Sequence, residues 1–584
     1  MRSGIPSVLA VCLLISLVVR AQTLRPHDWL TWGGDVERSG WNRSETALSK
    51  NTIRNLELKW KMQIDKSVPV DIESGGSMLT APLVVEGVRT SQGSKTLVLT
   101  LAASNTFAAM DADSGNVVWE RKFDDAVRPS SAANWVCTNT STATPVVDKP
   151  KGVVYVLSAD GRLHTLAIGN GDEELPPMDF VAPFSRNWSM NLVDGVLYTT
   201  VGRGCGNPPG QTSPVPAAAD TAPEQARASR QGGTGADGAP GRQGQGRGRG
   251  PASAAVMSQM VAMDLKDPNH SIARFVTSIG RPGGAWSRAG MAWANGSLLV
   301  QTADGAWDPA TNKWGQTLLR LAPKTLELVD YFTPGNLEEL NTKDLDYGSG
   351  GVVGFTYGNR QLVVSGGKDG TIYLLDANAL GGRDHRTPLF SLKIGNDAML
   401  YASNGIWGAP ATALDARNQR WIYVPLWGPP SRNVAFRRAH GDAPHGSVMA
   451  LQVTAASDQP ALTPMWISRD LNVPDSPVVA NGMVFAISTG ENTIQRHTDP
   501  RYAELYQRPG APPVATQGTL TPQERGQQVA HATLYALDAE TGQELYSSKD
   551  LIDDWTHFSS VTVAGGKVFV TTRQTFIYAF GLKR

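Results

Sequence analysis

One hairpin is spelled twice in this chain of 584 residues, as FAAMDADSGNVVW at 107–119 and LYALDAETGQELY at 534–546. Both follow Ala-x-Asp-x-x-(Thr or Ser)-Gly-x-x-x-aromatic, carried by Ala109, Asp111, Ser114, Gly115 and Trp119 in the first copy. Ala536, Asp538, Thr541, Gly542 and Tyr546 carry it in the second. A small Ala lets neighbouring sheets approach, Asp and the hydroxyl bond turn amides, and Gly accepts the positive φ of the turn. The terminal aromatic is left to reach the next sheet. Looser copies begin at Val154, Met260, Thr317, Thr371 and Ser447, and a strand such as GSLLVQTADG or RQLVVSGGKDG precedes each. A short Pro-Leu-Val-Val or Pro-Val-Val strand recurs at Pro82, Pro145 and Pro477. About four strands in roughly 45–65 residues is the size of a propeller blade with long loops.

The chain ends complete this unit. LELKWKMQI, from Leu56 to Ile64, reads as a fourth strand with its Trp60 but without three strands before it. The C-terminal SSVTVAGGKVFVTTRQTFIYAFG supplies three strands and stops. Joining the two closes a ring and removes the sheet edges an open array would expose. The expectation is an all-β fold, a single eight-bladed β-propeller of four-stranded blades over residues 22–584, closed by pairing an N-terminal strand with the C-terminal blade. Sixty Gly, 37 Pro and 16 Trp agree with many turns and aromatic packing. Residues 207–256 and 493–530 interrupt the rhythm. The first is Gly, Ala, Pro, Gln and Arg with hardly an aliphatic, the second is rich in Pro, Gln and Thr, and both read as solvated insertions unable to repay the entropy of ordering.

Lys plus Arg equals Asp plus Glu at 53 each. No net field draws the chain to nucleic acid, so any partner is recognised locally. Arg2 followed by an apolar run from Val8 to Val19 predicts a signal peptide over residues 1–21, cleaved after Ala21, and hence export to the periplasm; a retained N-terminal anchor is the alternative. No later stretch is apolar enough to span a membrane. Cleavage would leave Cys137 and Cys205, either bonded to each other or as two free thiols.

The repeat, the opening WGGDVERSGWNRS, and DLDYGSGG followed by VVSGGKDGTIYLLD resemble the pyrroloquinoline quinone (PQQ) repeat propellers. That superfamily includes quinoprotein alcohol dehydrogenases and a cofactor-free propeller lipoprotein of outer-membrane protein assembly. For the enzymes the resemblance implies PQQ and a divalent ion, usually Ca2+, on the propeller axis, a Trp and a vicinal disulfide around the quinone, a basic residue and a catalytic Asp. Lys368 in GGKDG falls where the family's alcohol dehydrogenases carry a cofactor-contacting Lys. Cys137 lies near the expected Cys pair, but Thr138 follows it. The Asp expected before the strand from Gly296 is not evident in WSRAGMAWANG.

The candidate cofactor-binding residues are therefore Lys368, Trp135, Cys137, Arg203, Arg288 and Asp346, with Asp304 and Asp308 as candidate metal ligands and no assigned catalytic residue. Lys368 with Asp369 also reads as a turn cap, Arg203 and Arg288 as surface charges, and Asp344 with Asp346 as a bare acidic pair. Trp60 and Trp119 read as blade packing, whereas Trp135, Trp286, Trp407 and Trp427 lie near loops where one could floor a flat ligand. Zinc-hydrolase, P-loop and lipase-elbow signatures are missing. Two functions stay open: quinoprotein-like redox or ligand binding, as a dehydrogenase of alcohols or sugars if the chain is an enzyme, and a cofactor-free scaffold binding envelope protein or glycan partners.

Overall fold

A computed structural model describes residues 28–66, 79–126, 140–203 except 142, 257–279, and 283–583 except 403, 457, 493, 495, 498, 500–519, 521–523 and 525–528. Eight sheets, each built on an antiparallel four-strand meander, form an eight-bladed propeller, as the repeat predicts. The inner strands of blades 1 to 8 are Leu83–Thr90, Val146–Asp148, Asn191–Val193, Ala292–Ala294, Val352–Tyr357, Ala411–Leu414, Val478–Ala480 and Thr562–Ala564. The ring closes as expected: Leu56–Gln63 pairs antiparallel with Phe576–Leu582, from Leu56 opposite Leu582 to Gln63 opposite Phe576, and becomes the outer strand of blade 8. The expected insertions lie almost wholly outside the described residues, as do the signal segment, Trp135, Cys137 and Cys205.

The repeated motif builds a joint between consecutive blades. Asp111 Oδ1 accepts from the amides of Asp113 and Ser114, each at 2.9 Å. Asp538 Oδ1 does the same for Glu540 and Thr541 at 3.0 and 2.9 Å. The turn glycine then receives the indole of the preceding blade. A Cβ on Gly115 would lie 2.7 Å from the ring of Trp60, one on Gly171 2.4 Å from Trp119, and one on Gly542 2.6 Å from Trp466. Each indole N–H is satisfied by a carbonyl of the same turn region: Trp60 donates to Ala112 O, Trp119 to Ile168 O and Trp466 to Ala539 O, at 3.1, 2.8 and 3.0 Å. Gly is required twice over, for a positive φ and for room beneath the ring.

A feature absent from the sequence reading sits at the centre. The segment from Asp28 to Asn42 crosses the ring and bonds to the inner-strand region of blades 1, 2, 3, 4, 6, 7 and 8, through Val84, Val147, Asn191, Trp293, Thr412, Val479 and Val563. Trp32 packs with Ala81, Ala289 and Ala409, which belong to blades 1, 4 and 6. Only a position on the axis reaches all three. Arg38, fully buried, locks the crossing by donating to Met291 O, Thr31 Oγ1, Trp32 O and Met190 O at 3.2, 2.6, 2.8 and 2.8 Å. Burial lowers its pKa to about 9.

Candidate functional site

In a four-strand meander, the start of the inner strand and the loop between the second and third strands lie at the same end. All the inter-blade loops and all the second-to-third-strand loops therefore crowd one face, with the axial segment beneath them as a floor. Lys368 sits in such a loop in blade 5, between Arg360–Gly366 and Thr371–Asp376. Asp344 and Asp346 lie in the loop entering that blade, and Asp304 follows Ser297–Gln301 of blade 4. Topology alone thus brings the sequence-predicted Lys368, Asp346 and Asp304 to one place.

Side-chain geometry makes them a cluster. The Lys368 ammonium, 3 % exposed, lies 2.5 Å from Asp346 Oδ2, 3.4 Å from Asp344 Oδ2 and 4.4 Å from the ring centre of Trp407. Burial opposes the charge, but the carboxylates of Asp344 and Asp346 outweigh it and hold the Lys368 pKa above its ordinary value. One carboxylate oxygen from each of Asp304, Asp344 and Asp346 lies within 4.8 Å of the others. The Asp304 amide donates to Asp346 Oδ1 at 2.9 Å. The glycine before Lys368 permits this: a Cβ on Gly367 would stand 2.5 Å from Tyr347 Cα and 2.6 Å from Asp346 O. Asp369 makes the turn cap, accepting from Thr371 N and Oγ1 at 3.2 and 2.6 Å, while Lys368 points into the acidic cluster. Asp308 stands apart, half-buried and bonded to Thr311 Oγ1 at 2.5 Å. The structure therefore groups Asp304 with Asp344 and Asp346 rather than with Asp308.

Aromatic rings and cations alternate from this cluster across the face. Trp407 stacks on Trp427 with ring centres 4.2 Å apart and planes 7° apart, and Phe558 lies 6.0 Å from Trp407. Arg288 places its guanidinium carbon 5.2 Å from the Phe558 ring and 5.0 Å from that of Trp188. Arg186 follows, 5.3 Å from Trp188 and 5.6 Å from Trp286. Arg203 is the ladder partner of Arg186, which places it on the same rim. Burial lowers the pKa of Arg288 to about 9, with Arg186 adding to the effect, and that of Arg186 to about 10. Burial also raises the Asp475 carboxyl to about 6. Glu491 Oε2 bonds His557 Nδ1 at 2.6 Å nearby.

Arg186, Trp188, Asp475, His557 and Phe558 were not singled out from sequence. A signal was present: Trp188, Arg288, Trp407, Asp475 and Phe558 stand three or four residues ahead of the inner strands that begin at Asn191, Ala292, Ala411, Val478 and Thr562. A fixed offset from a repeating strand marks the axial face even where the residue types differ.

The comparisons agree with this architecture. A PQQ-repeat family model described as outer membrane protein assembly factor BamB matches residues 60–176. No curated protein matches the chain. Among solved structures, the quinohemoprotein alcohol dehydrogenase from Comamonas testosteroni is similar with a TM-score of 0.53 and 13% identity, over 97% of this chain and 82% of that one. Quinohemoprotein alcohol dehydrogenase ADHIIG from Pseudomonas putida HK5 gives 0.51 and 12%, over 96% and 80%. A europium-containing methanol dehydrogenase gives 0.52 and 11%, over 96% and 99%. At these identities the likeness is one of fold. In fold the chain is an eight-bladed β-propeller similar to those of these dehydrogenases, with a PQQ-repeat match over residues 60–176.

Proposed function

We propose that the loop-bearing face is a ligand site of quinoprotein type, holding a planar anionic quinone such as PQQ together with a hard divalent cation. The observation that carries this reading is the buried Lys368 ammonium set against three convergent carboxylates on the axial face of a quinoprotein-type fold. The donor set suits the cation: Asp304, Asp344 and Asp346 offer only oxygen, the chemistry of Ca2+ rather than of zinc or copper sites. It also suits the anion, since Arg288 and Arg186 lie about 5 Å from aromatic ring centres on the same face. A guanidinium and a flat ring together favour a planar carboxylated ligand.

Bound there, the quinone would take two electrons from an alcohol or sugar, with the redox chemistry residing in the cofactor. The chain's own residues would bind, orient and move protons. Lys368 fixes the orientation of Asp346 and supplies positive charge in a shielded setting, where electrostatic effects are strongest. Asp346, the most buried of the three carboxylates, would accept a proton from a substrate hydroxyl, a role for which the sequence offers no residue before Gly296. The Asp28–Asn42 segment closes the axis beneath the loops, so ligand enters and leaves through one face.

The proposal includes export, through cleavage after Ala21, to a compartment where PQQ and Ca2+ are available; N-terminal sequencing of the secreted chain tests that part. The main test is calorimetric titration with PQQ in the presence and absence of Ca2+, on the wild type and on Asp346→Asn. Saturable binding that Ca2+ strengthens and Asp346→Asn weakens is the expected result. Loss of any saturable PQQ binding ends the quinone reading. It would leave the second one, a cofactor-free scaffold for envelope partners, which the assembly-factor family model over residues 60–176 favours.

A further inference from the structure

Among the charged-group atoms on the axial face that are shielded from solvent without a hydrogen-bond partner among the described residues are Arg288 Nη2 and Asp475 Oδ2. They come from different loops, Arg288 entering blade 4 and Asp475 entering blade 7. Each is held in place by its other contacts. The Arg288 carbonyl accepts from Ser189 N and Oγ at 3.3 and 2.5 Å, and its guanidinium lies between the rings of Trp188 and Phe558. Asp475 Oδ1 accepts from Ser476 N at 2.6 Å, which leaves Oδ2 as its open oxygen. The two attract each other electrostatically, yet they form no ion pair.

Leaving a buried charge unpartnered is costly in general, so a shielded donor and a shielded acceptor that act on each other without pairing call for an occupant that completes both. The occupant must present an oxygen acceptor to Arg288, because a guanidinium offers only donors and is matched best by an anionic oxygen. It must present an N–H or O–H to Asp475. We propose that Arg288 and Asp475 together recognise a carboxylate bearing a hydrogen-bond donor on the adjacent atom, the head group of a 2-hydroxy acid or sugar acid. This rests on the reading of the face as a ligand site and narrows its substrate class from alcohols in general to acidic ones. A substrate and a carboxylated quinone can both supply that chemistry, and the arms of the experiment separate them.

Titration calorimetry on the full chain would use sodium gluconate, sorbitol as its neutral counterpart, and PQQ, with wild type, Arg288→Met, Arg288→Lys and Asp475→Asn. Gluconate is expected to bind at least about tenfold more tightly than sorbitol, the scale of one charge-assisted bond. Arg288→Met removes that preference, Arg288→Lys keeps part of it, and Asp475→Asn weakens gluconate by about tenfold. If the variants lose PQQ affinity instead while gluconate behaves as sorbitol does, the site stands and its head group belongs to the cofactor. Gluconate binding that depends on Arg288, in a chain that never binds PQQ, keeps the site and removes the quinone. A wild type that binds neither anion overturns the proposal. So does binding within about twofold of wild type in whichever Arg288 variant folds, as checked by circular dichroism.

Discussion

At the scale of single residues, the decisive fact is that Lys368 is charged and buried. Its carboxylate partners repay the cost of removing the ammonium from water, and breaking the set exposes that cost. Lys368→Met is expected to destabilise the chain by about 3–5 kcal/mol at neutral pH, because Asp346 is left buried without its counter-charge. The double variant Lys368→Met with Asp346→Leu should recover most of the loss, which chemical unfolding of both variants beside the wild type would measure. Asp475 gives a prediction in pH. Its carboxyl is raised to about 6 by burial, against about 4 when unfolded. The folded chain therefore holds a proton that the unfolded chain releases between those values, so acidification through that window stabilises the fold and the buried charge costs stability above pH 6. Asp475→Asn should raise the thermal midpoint at pH 7.5 by the equivalent of about 1–3 kcal/mol and change it little at pH 4.5.

At the scale of elements, the joint between blades explains why the hairpin motif recurs. The outer-strand tryptophan of one blade lies on the turn glycine of the next, and its indole N–H meets a carbonyl of the same turn region. Ala109 and Ala536 are fully buried in the strands leading to such turns, which is what the small residue in the motif permits. Two glycines with the same backbone separate the two demands. Gly152 has φ +72° and nothing within 4 Å of an added Cβ, whereas Gly542 has φ +76° and the Trp466 ring at 2.6 Å. Gly152→Ala is expected to cost about 1 kcal/mol, the left-handed penalty alone. Gly542→Ala should cost about 2–4 kcal/mol, because a ring wedged into a joint must also move. Thermal unfolding of the pair checks the difference.

At the scale of the whole molecule, two devices close the ring: the outer strand of blade 8 donated by Leu56–Gln63, and the axial crossing of Asp28–Asn42. The crossing ties seven blades to one segment, so its loss is felt around the ring. Arg38 is the buried lock, with bonds to the Trp32 carbonyl of the crossing and to the Met190 and Met291 carbonyls of neighbouring blades 3 and 4. Arg38→Met leaves the Met190 and Met291 carbonyls without that donor and should destabilise the fold by about 3–5 kcal/mol. Lysine should rescue only partly, since a point charge cannot replace a planar fork. Comparing the thermal midpoints of the two variants with that of wild type measures both effects.

Blade number, blade composition and the closing strand were legible in the sequence because each depends on local spacing: a period-two strand, a glycine turn and an aromatic at a fixed offset. Lys368, Asp346, Asp304, Arg203 and Arg288 were legible as candidates because they stand in loops that break the repeat. Their roles were not. The Asp304–Asp344–Asp346 grouping joins residues some 40 positions apart in blades 4 and 5, and the row from Lys368 to Trp286 joins loops entering four blades with one of blade 5's own. The sequence by itself determined a ring of eight similar units, since each unit buries its faces against neighbours of the same kind. Only the tertiary structure decided what meets on the axis, because closing a ring brings together loops that no linear period relates.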